Sequence, residues 1–311
     1  MQKRKKFSNA WRSSSAGPDS LGRRKEFAQP DHHPPEAGSA QPQRDHSGRR
    51  RHHRPSLRKP AGGDLWLYGT HAVSAALENP ARQVKRLLVI ENTLEALRPA
   101  LERASRERRS ITVETAARAE IDALFPADTV HQGVALLAQS LSPPAMEDVL
   151  DNLRPAEHAL VVILDQVADP RNVGAVLRSA AAFGASALIL PERHAPPESG
   201  ALAKAASGAL ELIPLVRVTN IARTLDTLKS AGFWCIGLAP EGDKELSPPD
   251  PASLIALVLG AEGGGLRRLT LERCDEAARI PLAGPIASLN LSAAAAIALF
   301  AYRTCARITP S

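Results

Sequence analysis

Five short aliphatic runs recur through the C-terminal half of this 311-residue chain: Leu160–Leu164, Ala187–Leu190, Leu212–Val216, Phe233–Leu238 and Leu254–Leu259. Each is nearly continuous in Val, Ile, Leu and Ala rather than alternating with polar residues. A strand of that kind must be buried on both faces, which is the condition of a parallel sheet covered by helices. Helix-period patterns over 173–183, 200–209 and 220–231 separate the runs. The alternation predicts an α/β layered domain with a parallel sheet over 159–311. In such sheets ligands bind beyond the carboxyl ends of the strands. That rule directs attention to the residues just after Leu164, Leu238 and Leu259, and to the loop after Ile280.

Upstream, residues 64–139 read as a smaller α/β unit. Leu65–Tyr68, Lys85–Ile90, Ser110–Val113 and Val130–Ala138 have strand character, and Leu94–Arg109 is a charged amphipathic helix pattern. Residues 140–158 contain Ser142-Pro143-Pro144 and Arg154-Pro155 and read as a linker with one helical turn.

Charge is concentrated at the other end. Residues 1–60 carry 15 Lys+Arg against 5 Asp+Glu, leaving 24 basic and 28 acidic residues for the rest. The first 63 residues are rich in Ser, Pro, Gly and Gln and cannot bury enough apolar surface to fold, so a disordered basic tail is expected. Its charge suits an electrostatic arm for a polyanion, although a dispensable solvated extension has the same composition. No apolar run approaches the ~20 residues that cross a bilayer, and nothing after the first basic residues resembles a signal peptide. Three scattered cysteines (Cys235, Cys274, Cys305) provide neither a disulfide framework nor a metal spacing, which suits a reducing, cytoplasmic compartment without a metal.

Three polar loops fall at the expected carboxyl edge. The first, Leu164-Asp165-Gln166-Val167-Ala168-Asp169-Pro170-Arg171-Asn172, leads into a helix that carries Arg178 among small and apolar neighbours. Asn172 alone reads as an N-cap, and Arg178 as a positioned charge with a partner. The second, Gly260-Ala261-Glu262-Gly263-Gly264-Gly265, surrounds one carboxylate with glycines. It has neither the P-loop nor the dinucleotide spacing. Glu262 taken alone is a loop anchor that accepts backbone N–H groups. The third, Ile280-Pro281 through Ser288-Leu289-Asn290, enters an alanine-rich helix, and Ser288 and Asn290 could be caps and nothing more. The conjunction of the three is what favours a binding site.

Together these segments resemble motifs one, two and three of the SpoU (TrmH) family of RNA ribose 2′-O-methyltransferases within the SPOUT superfamily. The matching residues are Asn172 with Arg178, Gly260-x-Glu262-Gly263, and Ile280-Pro281 with Ser288-Leu289-Asn290. Tyr68-Gly69-Thr70-His71-Ala72-Val73 and Val130-His131-Gln132-Gly133-Val134 resemble the ends of the substrate-binding domain of the RlmB-type branch, which methylates a guanosine in 23S rRNA. The resemblance covers roughly residues 65–307. It implies a SPOUT domain with a C-terminal trefoil knot, S-adenosylmethionine as cofactor, large-subunit ribosomal RNA as partner, and a homodimer with the active site near its interface. By matched position it implies cofactor contacts at Gly260, Ile280 and Leu289, with Leu238 and Ala239 lining the same pocket. Arg178 would be the catalytic residue, with Asn172, Glu262, Ser288 and Asn290 supporting it. An arginine makes a poor general base at a pKa of ~12 or higher, so its expected work is to lower the pKa of the 2′-hydroxyl and orient a phosphate. Two alternatives stay open: a tRNA 2′-O-methyltransferase with the same catalytic domain, and a non-catalytic RNA-binding ribosome-assembly factor. A hydrolase using Asp165 and Glu262 has no phosphate loop or metal cluster to support it.

Overall fold

A computed structural model describes residues 62–106, 111–153, 158–247, 254–286 and 288–305. The basic tail through residue 61 lies outside the described residues, as do residues 154–157 of the expected linker. The elements in chain order are β1 (Asp64–Tyr68), α1 (Thr70–Glu78), β2 (Val84–Val89), α2 (Glu91–Arg106), β3 (Val113–Thr115), α3 (Arg118–Asp122), β4 (Val134–Gln139) and α4 (Met146–Leu153). They continue with β5 (Ala159–Leu164), α5 (Pro170–Ala182), β6 (Ala187–Pro191), α6 (Gly200–Ala206), a 3-10 turn (Ala209–Glu211), β7 (Leu215–Val218) and α7 (Ile221–Ser230). The last are β8 (Phe233–Leu238), β9 (Lys244–Glu245), β10 (Leu254–Leu259), α8 (Arg268–Glu272), β11 (Glu276–Arg279) and α9 (Leu291–Cys305).

Seven strands form one sheet in the order β7-β6-β5-β10-β8-β11-β9, every pair parallel. The aliphatic runs supply its centre: Val161–Leu164, Leu188–Leu190 and Ala256–Val258 are all but inaccessible. The chain begins at β5 and lays β6 and β7 to one side. It then places β8 on the other and returns to insert β10 between β5 and β8. Successive connections therefore diverge at the β5/β10 boundary. A crevice opens at such a switch point, beyond the strand ends. The loops after β5 and β10 flank it.

The smaller sheet has the order β1-β4-β2-β3, with β2 and β3 parallel and the other pairs antiparallel. One face, with Leu67, Leu87, Val89 and Leu136, belongs to the core that also takes in Leu177 and Ala180 of α5, Leu202 of α6 and Leu299 of α9. The other packs Leu88 and Ala135 on Ile121 and Phe125. A second core under α4 and α7 seals the opposite face of the large sheet. The joint between the two sheets is also ionic. Buried Arg82 donates to Glu211 through Nε (3.1 Å) and Nη2 (2.5 Å), and to Glu198 (2.6 Å) and the Gln139 carbonyl (2.9 Å) through Nη1.

Several elements depart from the sequence reading. Residues 212–216 were expected to be a strand, but Leu212 is 74% exposed and β7 begins at Leu215, because Pro214 has no N–H for the ladder and serves as the carbonyl partner of Leu188. The helix pattern over 200–209 stops at Ala206, where Ser207 and Gly208 turn left-handed (φ 52° and 98°). The single turn expected within 140–158 is the eight-residue helix α4, whose Val149 and Leu150 are buried. The loop after Ile280, expected at a strand's carboxyl end, follows β11, whose charged ends hide it from a hydrophobicity reading.

Candidate cofactor and RNA site

The glycine-rich loop after β10 closes on itself. Ala261 and Gly265 exchange backbone hydrogen bonds (3.1 and 2.9 Å), and Gly263 and Gly265 have φ of 78° and 61°. A Cβ on Gly260 would lie 2.0 Å from the Gly265 carbonyl, so only glycine fits there. The fold over residue 260 leaves Glu262 exposed at the loop's tip, directed toward two other loops.

Glu262 is where the three loops meet. Its Oε1 accepts from Asn172 Nδ2 (3.1 Å), Asn290 Nδ2 (2.5 Å) and the Leu291 amide (3.4 Å). It takes a backbone N–H as expected, from Leu291, but its two asparagine donors make the anchor a bridge between motifs. The N-cap expected of Asn172 belongs to Asp169, whose carboxylate accepts from the Arg171 amide (2.8 Å) with Pro170 at the first helical position. Asn172 is left free to face Glu262. Asn290 does the capping work considered for it, Oδ1 accepting from the Ser292 amide (2.9 Å) and hydroxyl (2.6 Å) at the start of α9, and its Nδ2 in addition holds Glu262. No cation pairs with Glu262 among the described residues, so its negative charge is oriented but not neutralised.

These loops wall a cavity of about 810 Å³. Of the residues singled out from sequence, Leu238, Ala239, Gly260, Glu262, Ile280, Ser288, Leu289 and Asn290 all line it. Asn172 reaches it through Glu262. Residues missed by sequence reasoning also line it, notably Glu245, Arg279, Pro285, Ile286 and Ala294. Arg279 donates to the Gly242 (2.8 Å) and Asp243 (3.1 Å) carbonyls and pairs with Glu245 (3.2 Å), pinning the loop after β8 to β11. Only recognition of β11 and β9 as strands could have found that pair. The size lies within the ~300–1,000 Å³ range of small-molecule pockets. Apolar Leu238, Leu259 and Leu289 suit a flat adenosine-sized group, the Gly260 cradle admits close backbone approach, and the unpaired carboxylate suits a ligand carrying positive charge.

Arg178 is not brought into this cavity. It lies six residues beyond Asn172, roughly 9 Å along α5 and about 120° around its axis. Its side chain is exposed, without an ion-pair or hydrogen-bond partner among the described residues. The small residues around it pack α5 inward on α6 and α9 and turn position 178 outward, so the described residues supply no partner for this charge. Asp165 is fully buried and engaged by Arg267 (Nη2 to Oδ1 2.7 Å, Nε to Oδ2 3.0 Å) and by the Thr270 hydroxyl (2.7 Å), a structural use that removes it from chemistry.

Comparison with known proteins agrees with this geometry. Residues 159–300 match the SpoU rRNA methylase family, and residues 66–144 match the RNA 2′-O ribose methyltransferase substrate-binding family. The 23S rRNA (guanosine-2′-O-)-methyltransferase RlmB of Pseudomonas syringae pv. tomato is 41% identical over 238 residues, which cover 75% of this chain and 93% of that protein. The same enzyme of Pseudomonas aeruginosa is 42% identical over 238 residues, covering 75% and 94%. Among solved structures, the SpoU methyltransferase AviRb from Streptomyces viridochromogenes, in complex with AdoMet, superposes with a TM-score of 0.64 at 25% identity, over 78% of this chain and 90% of AviRb. Among the described residues, no helix is long and apolar enough to cross a membrane.

Proposed function

The chain belongs to the SpoU rRNA methylase family, and from that premise we propose that it transfers a methyl group from S-adenosylmethionine to the ribose 2′-hydroxyl of a guanosine in 23S ribosomal RNA. The observation that carries the reading is the convergence of three distant loops on Glu262 beside a cavity of cofactor size. Bound there, S-adenosylmethionine supplies an electrophilic methyl group on a positively charged sulfonium. Leu238, Ala239, Gly260, Ile280 and Leu289 are the residues that would hold it. The oriented charge of Glu262 attracts a cationic ligand across the cavity, and the two asparagines fix that carboxylate without cancelling it. Asn290 and Ser288 stand where the incoming ribose can be oriented, with the 2′-oxygen directed at the methyl carbon.

The protein works as a homodimer in this reading, with α9 and the end of α5 at its interface. Phe300 (57% exposed) and Ile297 (41% exposed) are large apolar side chains that α9 leaves uncovered, and Phe300 meets Phe183 edge-on at 6.0 Å. Arg178, outside its own cavity, then serves the cavity of the second copy, where its guanidinium lowers the pKa of the 2′-hydroxyl and stabilises the developing oxyanion. The trefoil knot and a cytoplasmic location belong to the same reading. The basic tail acts as an arm that speeds RNA encounter.

Two experiments test this. Labelled methyl groups should pass from S-adenosylmethionine to a 23S rRNA fragment and map to one guanosine 2′-oxygen. Labelling confined to tRNA, or binding without transfer, would overturn the assignment. Mixing Arg178→Ala protein with Glu262→Gln protein should restore activity that neither shows alone. No recovery in mixed dimers places Arg178 outside the reaction of the second copy.

A further inference from the structure

The two segments that mark the ends of the smaller unit, Tyr68–His71 and His131–Gly133, meet at one corner, and the proposed chemistry leaves that corner unexplained. Gln132 is exposed yet holds a left-handed backbone (φ 59°), followed by Gly133 at φ 74°. Such a conformation in a non-glycine residue persists only when its surroundings fix it. Here buried His131 does so: Nε2 pairs with Asp122 (2.7 Å) and Nδ1 accepts the Gly133 amide (3.1 Å). The Thr93 hydroxyl holds the Gln132 carbonyl (3.1 Å).

The Gln132 side chain is fixed as firmly. Its Oε1 accepts from Lys204 Nζ, the Thr70 amide (3.2 Å) and the Thr70 hydroxyl (3.5 Å). Three donors on one end settle which way the amide points. The NH2 end therefore faces outward with both N–H groups unpaired among the described residues. Lys204 reaches this point from α6 by lying across Gly69, where a Cβ would come within 2.5 Å of its stem. Burial lowers the pKa of its ammonium, and no carboxylate pairs with it among the described residues. Arg171, in the first turn of α5, is exposed and equally without a carboxylate, and its charge is felt by the Tyr68 phenol. Its chain neighbour Asn172 already holds Glu262 of the cofactor cavity. Two cations without a carboxylate among the described residues and a preset amide thus lead from this corner to the start of α5, where Asn172 reaches the cofactor cavity.

We infer that this corner is a phosphate site for the substrate strand, in which Gln132 and Lys204, continued by Arg171, hold the RNA backbone flanking the methylated ribose. The inference rests on the RNA reading above and deepens it. An uncompensated ammonium beside an outward amide is the donor set a phosphate oxygen requires. The placement gives the smaller unit a direct share in register: it holds the backbone while the loops around Glu262 hold the ribose.

Removing a phosphate contact lowers the slope of log K against log salt by about one, a readout that a purely structural role does not move. Lys204→Met keeps the stem packed on Gly69 and should lower the slope by about one, as should Arg171→Gln, and the double variant by about two. Gln132→Glu retains acceptors for Lys204 and Thr70 while supplying Lys204 with a carboxylate. It should melt no lower than the parent and still bind RNA more weakly. S-adenosylmethionine affinity should be unchanged in all four. The probe for binding is a generic RNA hairpin, with methyl transfer to 23S rRNA measured separately. Parent slopes in Lys204→Met and Arg171→Gln, or undiminished RNA affinity in Gln132→Glu, would overturn the site. Altered slopes in a protein that methylates no 23S rRNA leave the site standing and defeat the reading it extends.

Discussion

The carboxylate junctions at Arg82 and at Glu262 both join distant parts of the chain, and they are built oppositely. At the joint between the sheets, Glu211 and Glu198 meet Arg82, a cation with no exposed side-chain surface, and Asn79 donates to Glu211 as well (2.7 Å). At the strand-end cavity, Glu262 meets only neutral amides and stays exposed. The first arrangement matches charge with charge because burial would otherwise be prohibitive. The second leaves a charge unmatched because water and a cationic ligand share the work of satisfying it. Opposed charges sealed from water mark a joint, and an oriented charge without a counterion marks a site.

The largest expected effect lies at the joint. Arg82→Ala leaves Glu198 and Glu211 buried without their cation, and breaking a buried pair in this way costs about 3–5 kcal/mol. Urea unfolding should show that loss. It should also depend on pH with a definite sign. Burial raises the Glu198 carboxyl above its ordinary range even with Arg82 beside it. A carboxyl whose folded pKa is raised binds its proton more tightly in the fold, so its stabilising contribution is present at low pH and lost as pH rises. Without Arg82 the rise is greater, and the deficit of the variant should narrow between about pH 7 and about pH 5. A deficit that stays constant or widens on acidification would mean the carboxylates are not desolvated as described.

Glu262→Gln should reverse the pattern. The site is exposed and its partners are amides, so stability should shift by only about 0.5 kcal/mol. Methyl transfer should fall by about 10²–10³-fold, the usual cost of deleting one preorganised electrostatic contact. If stability collapses instead, the two junctions are the same kind of object and the contrast fails. Gly260→Ala sharpens the point from the backbone side. Its Cβ would strike the Gly265 carbonyl, so the loop must open at a cost of about 1–3 kcal/mol. S-adenosylmethionine binding, followed by calorimetry, should be lost while rRNA binding persists.

The contrast also explains what the sequence could disclose. Sheet strands such as β5 and β10 were legible because burial on both faces leaves a continuous aliphatic signature. Cavity residues such as Leu238, Gly260, Glu262, Ser288 and Asn290 were legible because each follows such a strand or leads into a helix. The Arg82 joint was not, since its partners lie 116 and 129 residues away and arginine in a loop carries no local sign of burial. β11 and Arg279 were hidden for a related reason: a four-residue strand with a charge at each end resembles a turn. The exposure of Arg178 was not legible, because small neighbours mark a closely packed helix without saying which face packs; in α5 they make room for α6 and α9.

The smallest effect concerns one strand that touches both kinds of environment. β8 begins sealed, with Cys235 buried beside Cys274, and ends open, with Leu238 at the cavity. Burial, with Asp275 nearby, pushes both thiols up to about 12. At about pH 8 the thiolate that alkylating reagents require is then present at roughly one part in ten thousand. In a Cys305→Ser variant, which removes the remaining thiol, native protein should resist alkylation at that pH and react at both sites once unfolded. Saturation with S-adenosylmethionine should leave the native resistance unchanged, because the ligand occupies the open end of the strand and the thiols its sealed end. Rapid labelling that the cofactor suppresses would mean the sealed end opens with the cavity, and the division between joint and site would not extend along β8.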